Sequence, residues 1–277
     1  MLNIKPSTYY YRPKDKGESV LRFETDLRDR IKSIALEYPR YGYRRITQQL
    51  RREGLLVSHK RVLRIMRESS LLVVAKRKWV KTTDSAHSYP VYQNLLRDLI
   101  ITRTNQVWVA DITYIRVLLE FVYLAVILDA YSRKVIGYSI SKNLDTKLTL
   151  DALNMAIQRR LPEPGILHHS DQGVEYPSQE YIDRLNQHNF RISMARKGNP
   201  FDNALAESFI KTLKTEEAYL WEYSTLADVQ KRVPFFIESV YNQKRLHSSL
   251  GYLPPDEFET NLVIKEQKSM PCQFIIT

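Results

Sequence analysis

A single cysteine in 277 residues excludes an internal disulfide, and with no second thiol Cys272 cannot found a cysteine-rich zinc site. Long apolar runs are missing as well. The longest, FVYLAVIL at 121–128, is about half of what a bilayer-spanning helix needs, and the N-terminal MLNIKPSTYYYRPK has no apolar signal core. The expectation is a cytoplasmic protein with no membrane partner. Neither an internal repeat nor a low-complexity stretch is present, and 43% apolar residues is ordinary for one large domain or two modest ones.

Negative charge is scarce in one part only. Residues 1–104 carry 23 Lys and Arg against 10 Asp and Glu, an excess of +13, whereas 105–277 carry 19 against 21, or −2; the net charge of +11 therefore resides in the first part. A basic module joined to a near-neutral one points to a polyanion, most simply nucleic acid. The alternative is a solvated basic surface.

After a basic tail (1–18), Leu27, Ile31 and Ile34 fall at helical spacing, so 19–37 reads as a helix ending before Pro39. RRITQQLRR is a second, stopped at Glu53-Gly54, and Ser58 is placed to cap a third, HKRVLRIMRES. Val62, Ile65 and Met66 face inward on that helix, while Lys60, Arg64 and Arg67 line the other side. Helix, short helix, turn, basic helix is the pattern of a helix-turn-helix DNA reader over 19–75. A three-helix packing unit with a wet basic face is the plainer alternative.

Residues 76–104 read as a linker with a short helix near Leu95 to Ile100. Three β-rich segments follow, NQVWVADITYI, FVYLAVILD and KVIGYSI, joined by short turns as in an antiparallel meander. TKLTLDALNMAIQRR (helix), GILHHS (strand), PSQEYIDRLNQHN (helix), FRISMA (strand) and DNALAESFIKTLKTEE (helix) complete a core over 105–222, with 223–277 as a C-terminal helical extension. The fold class is α/β: a mixed five-stranded sheet flanked by helices, matching by analogy the ribonuclease H-like fold, preceded by a small all-α domain.

Asp111 sits mid-strand among apolar neighbours, where an ionised side chain is costly without compensation. In the strand order above, the first and fourth strands are central neighbours, which brings Asp171 beside Asp111. Two carboxylates there repel unless a cation lies between them. Glu207, in the last core helix, follows Asp171 after 35 intervening residues, enough chain to return it to the same sheet edge. Three carboxylates and no thiol make a hard-oxygen donor set suited to Mg²⁺ or Mn²⁺ and to two-metal phosphoryl transfer.

At these residues the chain resembles the retroviral-integrase superfamily, whose D,D(35)E triad is matched by Asp111, Asp171 and Glu207. The likeness is closer still to OrfB-type bacterial insertion-sequence transposases. YYYRP, YPRYGYRRITQQLRREG, WVADITYI, LDAYSRKVIGYSIS, HSDQGVEY, NPFDNALAESFIKTLKTEE and YNQKRLHSSLGYLPPDEFE follow in order over most of the chain. The resemblance implies a DNA transposase that cuts element ends and joins the freed 3′-OH to a phosphodiester, with two Mg²⁺ as cofactors and Mn²⁺ able to substitute. It implies DNA as partner (element ends and target), a homo-oligomer in the active complex, action at the nucleoid, and an upstream reading-frame product as fusion partner. Glu175 departs from the pattern, which has glutamine in many relatives, and adds a negative charge near the site.

Other readings of HHSDQGVEY fare worse. Neighbouring strand residues alternate faces, so His169, Ser170 and Asp171 cannot converge as a hydrolase triad, and no G-x-S-x-G elbow is present. A zinc site on His168 and His169 fails on the same geometry. Asp171 as a plain turn residue stays open, and Asp129 reads as a turn residue rather than a ligand. Lys211 and Lys214, four and seven residues after Glu207, share its helical face and would meet DNA phosphates; an ordinary surface ion pair is the alternative. RKGNPFDN reads as a mobile loop, with Asp202 as a cap for the helix after it. Tyr241, Asn242, Arg245 and His247 belong to the last signature, with packing and DNA contact both open. A ribonuclease H-like nuclease without joining activity, and a DNA-binding regulator, are the competing functions.

Overall fold

The computed structural model describes residues 17–73, 91–118, 120–173, 175–196 and 202–269. The basic tail through residue 16, most of the linker, the centre of the RKGNPFDN loop and Cys272 lie outside them. The chain divides into two compact units, Met1–Lys76 and Arg77–Thr277.

The first unit contains α1 (Glu18–Glu37), α2 (Tyr43–Arg52) and α3 (His59–Glu68). Leu27, Ile31 and Ile34 of α1 meet Ile46 and Leu50 of α2 and Val62, Ile65 and Met66 of α3, all buried. These are the residues that helical periodicity points inward. Gly54, at φ 86°, ends α2 in the left-handed conformation glycine adopts without strain. Ser58 caps α3, its side chain accepting from the Arg61 N–H at 3.3 Å.

The second unit is built on five strands: β1 (Val107–Val117), β2 (Glu120–Asp129), β3 (Val135–Ser141), β4 (Leu167–Ser170) and β5 (Arg191–Met194). Their order is β3-β2-β1-β4-β5, with β1 antiparallel to β2 and parallel to β4. The meander and the central β1–β4 pair expected from sequence both form. Strand alternation sorts β1 between two cores. Val107, Val109, Ile115 and Val117 pack with α6 (Ala204–Leu213) through Ala206, Phe209 and Leu213. Trp108 and Ala110 pack on the other face with α4 (Thr146–Arg160) and α5 (Gln179–Gln187). Gly137 on β3 permits the approach of α4, since a Cβ there would stand 2.2 Å from the Ala152 carbonyl oxygen.

Helix α6 does not end cleanly. It runs into a π-helical turn, Lys214–Ala218, and α7 (Leu226–Phe235) likewise passes into a second such turn, Phe236–Asn242, before α8 (Pro255–Ser269). Tyr223, Val229, Val233, Phe236, Ile237 and Tyr241 lie in the same buried cluster as β1 and α6. Among the described residues no helix is long and apolar enough to cross a membrane.

The short helix expected near Leu95 to Ile100 does not form. Ser193 Oγ accepts the Leu95 N–H at 2.9 Å and Asn94 Oδ1 accepts the Leu96 N–H at 2.9 Å, so these donors go to side chains rather than to a helical ladder. Leu95, Leu96 and Leu99 pack instead against the β1–α6 cluster.

Candidate active site

Parity along β1 decides where Asp111 points. It shares the side of Val107 and Val109, the side covered by α6, and the residue is half-buried. Its Oδ1 accepts the Ile112 N–H at 2.8 Å. Asp171 follows the last residue of β4, and its Oδ1 accepts the Gly173 N–H at 2.9 Å, closing a tight turn. Glu207 stands in the first turn of α6, whose inner face is fixed by Ala206, Phe209 and Leu213.

The three carboxylates share one electrostatic field. Burial, then the charge of Asp171 and more weakly that of Glu207, push the Asp111 carboxyl well above the usual range, against the Ile112 N–H and Lys214. Glu207 is raised by burial and by Asp171. Lys214 is the cation facing them: burial lowers its ammonium while Asp111 pulls it back up, and its Nζ lies 4.5 Å from the centre of the Tyr114 ring. Lys211, by contrast, is exposed. Glu175 is buried, and a Cβ on Gly173 would stand 3.1 Å from both Asp171 Oδ1 and Glu175 Oε2. The added carboxylate thus flanks the Asp171 turn.

Among the described residues no three His, Cys, Asp or Glu side chains are drawn together tightly enough to hold a metal as they stand. The donor chemistry nevertheless fits a hard divalent cation. All groups are carboxylate oxygens, Asp171 and Glu207 repel Asp111, and Lys214 offsets it in part.

The neighbouring histidines do structural work. His168 Nε2 is 2.9 Å from the Tyr181 hydroxyl, and His169 Nδ1 is 2.8 Å from Ser193 Oγ. They point to different partners, as strand alternation requires, and Ser170 Oγ donates to the Asp171 carbonyl at 3.1 Å. No hydrolase triad assembles. Asp129 is a buried turn residue whose carboxylate accepts the N–H groups of Asn105, Tyr131 and Ser132.

Asp202 does not cap α6. Asn203 occupies that position, while Asp202 is held by Arg196, which donates its backbone N–H and Nε to Oδ2 at 3.0 Å each. The pair closes the neck of the loop, and the guanidinium pulls the Asp202 carboxyl down to about 2. Asn203, within NPFDNALAESFIKTLKTEE, has no charge to single it out in the sequence. It is buried and donates Nδ2 to the Ala110 carbonyl at 3.1 Å.

In the first unit Lys60, Arg64 and Arg67 are all exposed on α3, and Arg64 is also paired with Glu24 and with Glu68. The last signature packs. Tyr241 stands edge-on to Phe209 and to His247, Asn242 brackets Val135 through its N–H and carbonyl at 3.0 Å each, and Arg245 pairs with Glu216.

Comparison with known proteins gives concordant matches. The Integrase core domain family matches residues 101–200 and again 188–255, and an HTH-like domain matches 23–79. A transposase for insertion sequence element IS904 from Lactococcus lactis is 38% identical over 84% of this chain and 93% of its own length. A 31 kDa protein of insertion element IS600 from Shigella sonnei is 35% identical over 93% and 96%. Transposase InsF for insertion sequence IS3A from Escherichia coli is 39% identical over 79% and 77%. Among solved structures, the catalytic core domain of BIV integrase aligns with 60% of this chain and 99% of its own at 17% identity and a TM-score of 0.44.

Proposed function

The chain belongs to the transposases of bacterial insertion sequences that carry an integrase core, and from that premise we propose that Asp111, Asp171 and Glu207 are its catalytic and metal-binding residues. One observation carries this reading: β1, the end of β4 and the first turn of α6 bring Asp111, Asp171 and Glu207 to one side of the sheet, close enough that the charges of Asp171 and Glu207 push the Asp111 carboxyl up. Bound there, two Mg²⁺, or Mn²⁺ in their place, supply activation of the attacking oxygen and charge relief for the leaving oxygen of a phosphodiester. The protein's own part is to hold the three carboxylates on β1, the end of β4 and α6, which the β1–α6 core fixes from behind, and to present Lys214 to a phosphate beside them.

Lys211 extends that contact outward. The 19–75 unit grips DNA through Lys60, Arg64 and Arg67, with Arg64 exchanging its pairs to Glu24 and Glu68 for phosphate. Residues 105–222 form the catalytic core and 223–277 the extension that buttresses it, joined to the reader through 76–104. The protein acts on element ends and target DNA at the nucleoid in the cytoplasm, as a homo-oligomer, with an upstream reading-frame product as fusion partner.

The test incubates the protein and Mg²⁺ with labelled DNA bearing the element's ends and resolves cleaved from joined strands. Glu207→Gln is expected to abolish both products while binding DNA normally. Full cleavage by that variant would sink the assignment, and cleavage without joining by the native chain would make it a nuclease.

A further inference from the structure

The backbone groups of β1 alternate between its two neighbours. The Gln106 carbonyl accepts from Leu167 of β4 at 3.0 Å, and the Val107 carbonyl accepts from Ala130, beyond β2, at 3.0 Å. By that two-residue alternation the Ala110 carbonyl points toward β4. The paired register, however, stops at Val109 opposite His169. Asn203 takes the place of the missing strand, donating Nδ2 to the Ala110 oxygen at 3.1 Å.

This bond joins the two elements that carry Asp111 and Glu207. Ala110 immediately precedes Asp111. Asn203 immediately precedes α6, and its own carbonyl accepts the Glu207 N–H at 3.2 Å. The asparagine side chain makes no capping bond to the helix it begins, so helix initiation does not explain it. Asn203 is only 5% exposed, and its Oδ1 is shut off from solvent with no hydrogen-bond partner among the described residues.

We propose that Asn203 is a positioning residue of the transposase: its amide latches the start of the Glu207 helix to the backbone beside Asp111 and so sets the separation of the two carboxylates for divalent metal. The inference rests on the assignment of Asp111, Asp171 and Glu207 as metal ligands. A carboxylate on an unlatched helix end would retreat from its like-charged neighbours until metal recaptured it, at a cost in metal affinity. The Arg196–Asp202 pair holds the preceding residue but makes no such connection to β1.

Asn203→Ser isolates the latch, because serine is a good helix-capping residue yet its hydroxyl is too short to span to Ala110. The full-length protein is melted in chelator and then across a Mg²⁺ titration, with Asn203→Ala and Asp111→Asn alongside. Asn203→Ser is expected to need at least about tenfold more Mg²⁺ for half of the metal-induced rise in midpoint, with DNA binding in chelator unchanged. Asn203→Ala should behave the same way, and it carries the test if the serine variant does not fold. An unaltered Mg²⁺ requirement in either folded variant, even with a lower midpoint in chelator, overturns the proposal and leaves Asn203 a packing residue. Asp111→Asn should lose the metal-induced rise altogether; if it keeps that rise, the ligand assignment fails and takes the latch with it.

Discussion

Arg245 and Glu216, 29 residues apart in sequence, meet in a two-pronged ion pair, with Nε and Nη2 each 2.7 Å from a carboxylate oxygen. Their side chains are 5% and 13% exposed. The pair ties the last signature of the chain to the π-helical turn that follows α6. Just after it, buried Glu217 is held by Arg232 at 2.7 Å and by the Tyr223 hydroxyl at 3.1 Å. Widened helical turns of this kind occur often at functional sites, and this one begins at Lys214, the cation that faces Asp111.

Removing one partner of such a pair leaves the other charge stranded. Arg245→Ala is therefore expected to cost about 3–5 kcal/mol of stability. Arg245→Lys should recover only part of it, since an ammonium cannot make the planar fork. Urea unfolding of the two variants beside the native chain checks this, and equal stability of all three would refute it.

Asp111 gives a stability signature of its own. A carboxyl raised above its ordinary value binds its proton more tightly in the folded than in the unfolded chain. Its contribution to stability is therefore least favourable at neutral pH and improves as pH falls through the raised value toward the ordinary carboxylate range. Asp111→Asn, which keeps an oxygen for the Ile112 N–H, is expected to raise the melting midpoint in chelator at about pH 7 and to flatten that trend. A midpoint below that of the native chain would contradict it.

Lys214 should contribute to DNA affinity through phosphate. Lys214→Gln is expected to weaken binding evenly across sequences and to reduce the slope of log K against log salt by about 1. Fluorescence anisotropy over a salt series, in chelator, measures this directly. An unchanged slope would return Lys214 to a purely local role beside Asp111 and Tyr114.

His168 makes the fold sensitive to acid. Burial, with the neighbouring His169 second, pushes its pKa down to about 3, so the folded chain keeps it neutral while the unfolded chain protonates it near 6.5. Stability is intact above pH 6.5 and declines as pH falls toward 3, by up to about 1.4 kcal/mol per pH unit for one proton. Replacing it by phenylalanine retains an aromatic ring against Tyr181 and removes the titration, so urea midpoints between pH 6.5 and 4 should fall less steeply for His168→Phe. Parallel curves would rule this histidine out as the cause.

Much of this architecture is legible in local pattern. The three helices of the first unit, the stop at Gly54 and the Ser58 cap follow from periodicity and turn chemistry acting over a few residues, whereas the β1–β4 adjacency is legible only through the analogy of strand order to a known fold. Asp111 stands out because a carboxylate in an apolar strand is costly wherever that strand lies. Asp202 misled because Asp-Asn before a helix is good capping chemistry, yet Arg196, six residues earlier, competes for the same carboxylate. Leu95 to Ile100 misled because the bond that captures the Leu95 N–H comes from Ser193, 98 residues away.

The sequence by itself determined the basic first part, the five strands, and the three carboxylates with their spacing, because hydrophobic period and residue chemistry are properties of short segments. Only the tertiary structure decided what the polar residues between them do. Arg64 is drawn into pairs within its own unit, Arg245 braces a helical turn, and Asn203 fills the gap where β4 stops short of Ala110. A hydrogen bond or ion pair depends on geometry at about 3 Å, and a linear pattern cannot supply that distance between residues 29 or 93 positions apart.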